Sequence, residues 1–187
     1  MNDYIDLSVI DSPELPATVL ISALFEQIHL SLVALSSNDI GISFPLAKEK
    51  HLGNKIRLHG SRERLSKLME MQFVNRLGEF VYSSPIQSVP ENVEYRVIQR
   101  QRNKMATPSV VRRCMKRNGL SWEEAEKLLG VNRAKLPKAP YVVVQSQSSG
   151  GLVFNLHIDQ SQSQPSAVKG EFNSYGLSQS ATVPWFS

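Results

Sequence analysis

Residues 4–9 (Tyr-Ile-Asp-Leu-Ser-Val) alternate between apolar and polar side chains, as a half-buried strand requires. Pro16 follows where a first helical turn tolerates proline. The period then changes: Ile21, Leu24, Phe25, Ile28, Leu32 and Leu35 recur at helical spacing and predict one apolar stripe, ended by Asn38 and Asp39. Residues 40–44 and 55–59 predict two short strands joined by a polar loop. Ser61 is placed to cap a second helix carrying Leu65, Leu68 and Met69, and residues 79–82 predict a fourth strand. The order is β-α-β-β-α-β, so the expectation is an α+β protein whose N-terminal part is ferredoxin-like. That arrangement hosts many functions and decides none by itself.

Residues 83–92 are rich in serine and proline and predict a connector, dividing a first domain (1–90) from a second (91–187). Residues 95–102 alternate again and place Arg96, Arg100 and Arg102 on one face. Thr107 and Pro108 predict a cap and a first helical position, with Gly119 ending a helix over 108–118. Ser121 and Glu124 have capping-box spacing for a shorter helix that Gly130 stops. After a proline-bearing link, residues 141–146 and 152–158 suit a hairpin turning at Ser149-Gly150-Gly151. Residues 159–169, rich in Ser and Gln, predict an exposed loop.

Charge changes this picture more than composition does. Residues 1–93 carry 8 Lys/Arg against 11 Asp/Glu, a net of −3, and residues 141–187 carry 1 against 2, a net of −1. Residues 94–140 carry 12 against 4, a net of +8, so the overall +4 is concentrated in one quarter of the chain. Residues 95–117 contain eight basic residues and no acidic one. A solvated face normally mixes signs to limit self-repulsion, so this cluster points to a polyanionic partner. In the helix over 108–118, Arg112, Arg113, Lys116 and Arg117 share an arc of roughly 140°, at about 100° per residue, while Val110, Val111, Cys114 and Met115 fill the opposite side. Such a helix can dock by one face and hold nucleic acid by the other. A regular A-form major groove is too narrow for side chains, which favours a short hairpin over long duplex RNA.

The most apolar stretch, residues 19–35, is interrupted by Ser22, Glu26, Gln27 and His29, so no membrane span is expected. The acidic N-terminus lacks the positive region of a secretory signal. Cys114 is the sole cysteine, which excludes an intramolecular disulfide and suits a reducing cytoplasm. His29, His51, His59 and His157 have no partners at metal-ligand spacing and no acidic cluster suits magnesium, so any catalysis is expected to be metal-free and without a cofactor. By pattern alone each histidine reads better as a structural residue than as a catalytic one. The polar segment 145–151 suits either a plain turn or a loop gripping ribose or phosphate.

His29 late in the first helix, Gly41-Ile-Ser-Phe-Pro45, the arginine-rich helix, Ser146-Gln-Ser148, Tyr175-Gly-Leu-Ser178 and Val183-Pro-Trp-Phe186 occur together in this order. The ordered set resembles the type I-F CRISPR precursor-RNA endoribonucleases, the Csy-type branch of the Cas-six superfamily, from Tyr4 to Phe186. The resemblance implies a ferredoxin-like N-terminal domain and a smaller C-terminal domain carrying the basic helix. It implies a metal-independent endoribonuclease that binds the CRISPR repeat stem-loop and cuts at the 3′ base of the stem. The products would be a 2′,3′-cyclic phosphate and a 5′-hydroxyl. A monomer when free, with no membrane, the enzyme would keep the mature guide RNA and join other subunits of a surveillance complex. By position, His29 matches the catalytic histidine, Ser146 the catalytic serine and Tyr175 the tyrosine that positions the histidine. RNA contacts would fall on Arg100, Arg102, Lys104, Arg112, Arg113, Lys116, Arg117, Gln147, Ser148 and Phe154, with Phe154 stacking beneath the closing base pair. Lys116 stands where arginine is usual and Arg102 where glutamine is familiar. Three other readings compete: a non-catalytic hairpin-binding subunit, a DNA-binding regulator using residues 107–118, and a metabolic enzyme of ferredoxin-like fold. The last leaves the basic strip unexplained.

Overall fold

A computed structural model describes residues 1–101, 108–129, 139–146 and 151–186. The protein is α+β, built on antiparallel sheets. Contacts divide the chain into one unit of residues 1–101 with 139–187 and a second of residues 102–138. The expected boundary at residues 90/91 falls inside the first of these units. Strands from both sides of that boundary contribute to one hydrophobic cluster, in which Ile5, Leu7 and Phe25 pack with Ile98, Val144, Leu156 and Val183.

The first sheet contains β1 (Asp3–Val9), β2 (Gly41–Ser43), β3 (Lys55–Gly60) and β4 (Val81–Ser83) in the spatial order β2-β3-β1-β4, with β5 (Gln87–Ser88) also paired to β1. Every pairing is antiparallel. The fourth strand begins at Val81, later than the expected residue 79, because residues Phe73–Phe80 coil as a 3-10 segment kinked at Gly78. The expected connector also runs along the edge of β1, with Ser84 N–H donating to Asp6 O and Val89 N–H to Asn2 O.

Helix α1 (Ala17–Ala34) buries Ile21, Leu24, Phe25, Ile28 and Leu32 of the predicted stripe, together with Leu20, while Leu35 at its end is only partly covered. Asp11 Oδ1 accepts the N–H of Ala17 at its start. By length and composition alone this helix is apolar enough to cross a membrane, at a mean hydropathy of 1.6, a test that a core helix also passes. Its apolar face is used here to cover the sheet. Helix α2 (Arg62–Glu70) is capped by Ser61, whose hydroxyl accepts the N–H of Arg64.

On the other face of the first sheet, Arg57 is 4% exposed and stands directly across from Asp6. Its Nε and Nη2 donate to the two Asp6 oxygens at 2.6 and 2.9 Å, and Nη1 donates to the carbonyl of Phe186 at 2.8 Å. The rings of Tyr4 and Phe186 lie against the guanidinium. Burial alone would raise the Asp6 pKa, but hydrogen bonds from Arg57 and Lys55 outweigh it and hold the carboxyl below its ordinary value. Beside them His59 is fully buried, sharing a 2.8 Å hydrogen bond between Nε2 and Ser43 Oγ. Burial first, and the Arg57 charge second, push its pKa down to about 3. Between that value and the ordinary 6.5, the unfolded chain takes a proton that the folded one refuses, so stability is lost as pH falls below 6.5. Urea unfolding at pH 7 and pH 5 should differ by about 2 kcal/mol from this group, a difference that His59→Gln removes.

The second sheet holds β6 (Glu94–Arg100), β7 (Tyr141–Ser146), β8 (Leu152–Gln164) and β9 (Thr182–Trp185) in the order β7-β8-β6-β9. Strand β8 runs through residues 159–164, expected to be loop, because its second half pairs with β6. The pairing compensates backbone polarity that a Ser/Gln-rich composition does not reveal. The two sheets are tied by Gln160, whose side-chain amide accepts the N–H of Phe44 and donates to the Phe44 carbonyl. Gly41 permits the approach: a Cβ there would lie 2.6 Å from Val183.

The second unit contains α3 (Pro108–Asn118) and α4 (Trp122–Leu128), whose buried residues are Val111 and Ala125. Gly119, at φ +64°, ends α3, and the N–H of Leu120 returns to the carbonyl of Met115. Ser121 and Glu124 form the expected capping box. Thr107 and Gly130, expected at a helix start and stop, lie outside the described residues.

Candidate active site and RNA-binding surfaces

Phe25 and His29 are one turn apart on α1, so they project from the same side of the helix. Phe25 is wholly buried in the core, whereas His29 is only half-buried at its border. The ring of Tyr175 is stacked on both. Its centroid lies 3.9 Å from that of His29 at an interplanar angle of 11°, and 5.9 Å from that of Phe25 at 7°. His29 Nδ1 is 2.7 Å from the carbonyl oxygen of Ser174. A carbonyl can only accept, so Nδ1 carries the proton and the neutral imidazole presents its lone pair at Nε2. Among the described residues Nε2 has no partner.

The Tyr175 loop is held by a dense set of local bonds. Asn173 Oδ1 accepts from the N–H of Tyr175 at 2.8 Å and of Leu177 at 3.2 Å. The Asn173 N–H donates to Leu177 O, and Gly176 N–H donates to Asn173 O. Both ends of the loop are anchored, by Phe172 N–H to Asn38 O and by Ile42 N–H to Gly176 O. Gly176 has φ +68°, and a Cβ there would meet Ile42 Cγ1 at 2.4 Å. Only glycine satisfies both demands. Sequence reasoning named Tyr175 but missed Asn173, Ser174 and Gly176 as the parts that aim it. An Asn three residues before Gly was the available signal.

Strand β7 reaches α1 through the N–H of Val143, which donates to Ser22 Oγ at 3.1 Å. Ser146 ends that strand, its backbone paired with Leu152. Gln147 and Ser148 lie outside the described residues, as do Arg102 and Lys104. Arg100 is exposed at the end of β6, with its guanidinium 5.4 Å from the ring centroid of Phe154 on β8. The structure thus brings together two pairs of the predicted residues, His29 with Tyr175 and Arg100 with Phe154. Arg96, predicted on the face of Arg100, stacks on Trp185 and pairs with Glu94.

In the second unit, Arg112, Arg113, Lys116 and Arg117 are all exposed along α3, while Val110, Cys114 and Met115 are partly covered and Val111 is buried. Arg112 Nε donates to the carbonyl of Pro108. Among the described residues Arg113, Lys116 and Arg117 form no ion pair. The cations of α2, by contrast, are neutralised: Arg62 by Asp3, Arg64 by Asp39 and Lys67 by Glu63. Among the described residues no three of His, Cys, Asp and Glu converge as metal ligands.

Residues 4–186 match the family model described as CRISPR-associated protein (Cas_Csy4). The chain is 36% identical over 186 residues to the CRISPR-associated endonuclease Cas6/Csy4 of Escherichia coli (strain UTI89 / UPEC). It is 35% identical over 188 residues to the protein of the same name from Pseudomonas aeruginosa (strain UCBPP-PA14). Both similarities cover the whole of both chains.

Proposed function

The chain belongs to the Cas_Csy4 family of CRISPR-associated proteins, and from that premise we propose that it is the endoribonuclease that processes CRISPR precursor RNA. It binds the repeat stem-loop and cuts at the 3′ base of the stem without a metal ion. The observation that carries this reading is the fixed imidazole of His29, protonated at Nδ1 against the Ser174 carbonyl and stacked on Tyr175, with Nε2 unpartnered among the described residues. We read the strand order β2-β3-β1-β4 around α1 and α2 as the ferredoxin-like frame that supports it.

RNA contains its own nucleophile, the 2′-hydroxyl beside the scissile phosphate. The protein has only to align that oxygen opposite the leaving 5′-oxygen and to move protons. In our scheme His29 Nε2 removes the 2′ proton and Ser146 orients the ribose. The 2′-oxygen bonds to phosphorus, the bond to the 5′-oxygen breaks, and that oxygen takes up a proton. The ends are a 2′,3′-cyclic phosphate and a 5′-hydroxyl. Tyr175 holds the imidazole by ring contact. Arg100, Arg102, Lys104, Gln147, Ser148 and the α3 cations hold the stem, and Phe154, backed by Arg100, offers a flat ring for the closing base pair.

The protein acts in the cytoplasm as a monomer until loaded, then keeps the mature guide RNA and enters the surveillance complex. Incubation of the full chain with its repeat hairpin in EDTA should yield one cut, with a cyclic phosphate seen by mass spectrometry. A hairpin carrying a single 2′-deoxy nucleotide at the cut should bind equally and stay whole. Cleavage of the deoxy hairpin would refute the mechanism. A wild-type protein that binds the ordinary hairpin without cutting it would leave only the hairpin-binding subunit.

A further inference from the structure

We propose that Asn173 is a positioning residue for cleavage: its side chain folds the turn that aims the Ser174 carbonyl at His29 Nδ1 and so fixes which imidazole nitrogen is free to take a proton. The inference rests on the role of His29 given above and adds a residue through which that role is set.

Asn173 is exposed, and its side-chain oxygen bonds only backbone N–H groups of its own turn, those of Tyr175 and Leu177. With the two backbone bonds between Asn173, Gly176 and Leu177, this leaves the segment little freedom. The carbonyl of Ser174 lies inside that turn, one residue from the Asn173 side chain and one from the Tyr175 ring. The turn therefore delivers two contacts to one imidazole, an acceptor at Nδ1 and a flat ring against its face. In water a neutral imidazole places its proton predominantly on Nε2, where it would block the nitrogen that faces outward here. A carbonyl held 2.7 Å from Nδ1 reverses the preference, since the hydrogen bond at one nitrogen decides the proton on the other. Neither Ser174 nor Tyr175 can hold its own backbone in place. Asn173 supplies the acceptor that does, from a position that the core does not constrain.

The tautomer is read in the free protein by nitrogen-15 NMR of histidine-labelled chain at neutral pH. Wild type should show neutral His29 with the proton on Nδ1. In Asn173→Ala the signal should shift towards the Nε2–H form, and single-turnover cleavage of prebound hairpin should slow on the order of tenfold with affinity unchanged. Asn173→Asp retains both acceptor bonds and should restore tautomer and rate together. Gly176→Ala disturbs the same turn from its far end and should move the His29 signal in the same direction. An unchanged tautomer in Asn173→Ala, or an unchanged rate despite a shifted tautomer, overturns the inference. Undiminished cleavage by a His29→Ala chain strikes instead at the proposed function, whatever the tautomer measurement shows.

Discussion

His29→Ala should slow cleavage of the bound repeat hairpin by about a hundred- to ten-thousandfold, the range that a lost general acid–base group commands, while the hairpin dissociation constant stays within about twofold of wild type, a difference well under 1 kcal/mol. The separation of the two effects follows from geometry. Among the described residues the imidazole makes its contacts through Nδ1 and one ring face, leaving Nε2 for the substrate. One nitrogen contributes little to holding a polyanion whose affinity comes from many phosphates. The ring is half-buried at the edge of the core, so truncation leaves a shallow space that solvent can fill, and folding should persist. Single-turnover kinetics with hairpin in slight deficit, beside a binding isotherm on the 2′-deoxy hairpin, measure the two quantities separately. Equal losses of rate and affinity would make His29 a binding residue. An unaltered rate would remove it from the chemistry.

Where the sequence pattern reports a buried face, it was legible. The stripe of α1, the Ser61 and Ser121 caps, and the apolar side of α3 all follow from local periodicity and capping chemistry. What failed depended on partners distant in the chain. Residues 159–164 carry a loop-like composition but are held as strand by β6, some sixty residues earlier. Arg57 sits among alternating residues as any surface cation might, and its burial depends on distant partners, Asp6 and Tyr4 on β1 and the returning Phe186. The site shows the same split. His29 and Tyr175 were named through the family resemblance, since no spacing rule links positions 146 residues apart. Their stacking, and the turn that Asn173 and Gly176 build beneath it, needed coordinates.

Neutralising α3 should have the largest effect on binding. In a chain carrying Arg112→Gln, Arg113→Gln, Lys116→Gln and Arg117→Gln, affinity for the hairpin should fall on the order of a thousandfold near 0.1 M salt, about 1 kcal/mol for each charge. The slope of log affinity against log salt should fall by about 3, since each phosphate contact carries roughly 0.7 to 0.9 of that slope. Glutamine has nearly the helix propensity of the residues it replaces, so α3 should survive and circular dichroism should not change. Among the described residues these four form no ion pair, unlike the cations of α2. Lys67 on α2 already spends its charge on Glu63, and Arg64 on Asp39, so Arg64→Gln with Lys67→Gln should leave affinity and slope almost unaltered. That control separates a specific polyanion surface from general net charge, because a uniform electrostatic field would respond to either set. If the α2 variant weakens binding per charge as much as the α3 variant does, the strip has no special role. If neither affects the salt slope, RNA is held elsewhere and the one-sign cluster at residues 95–117 loses its explanation.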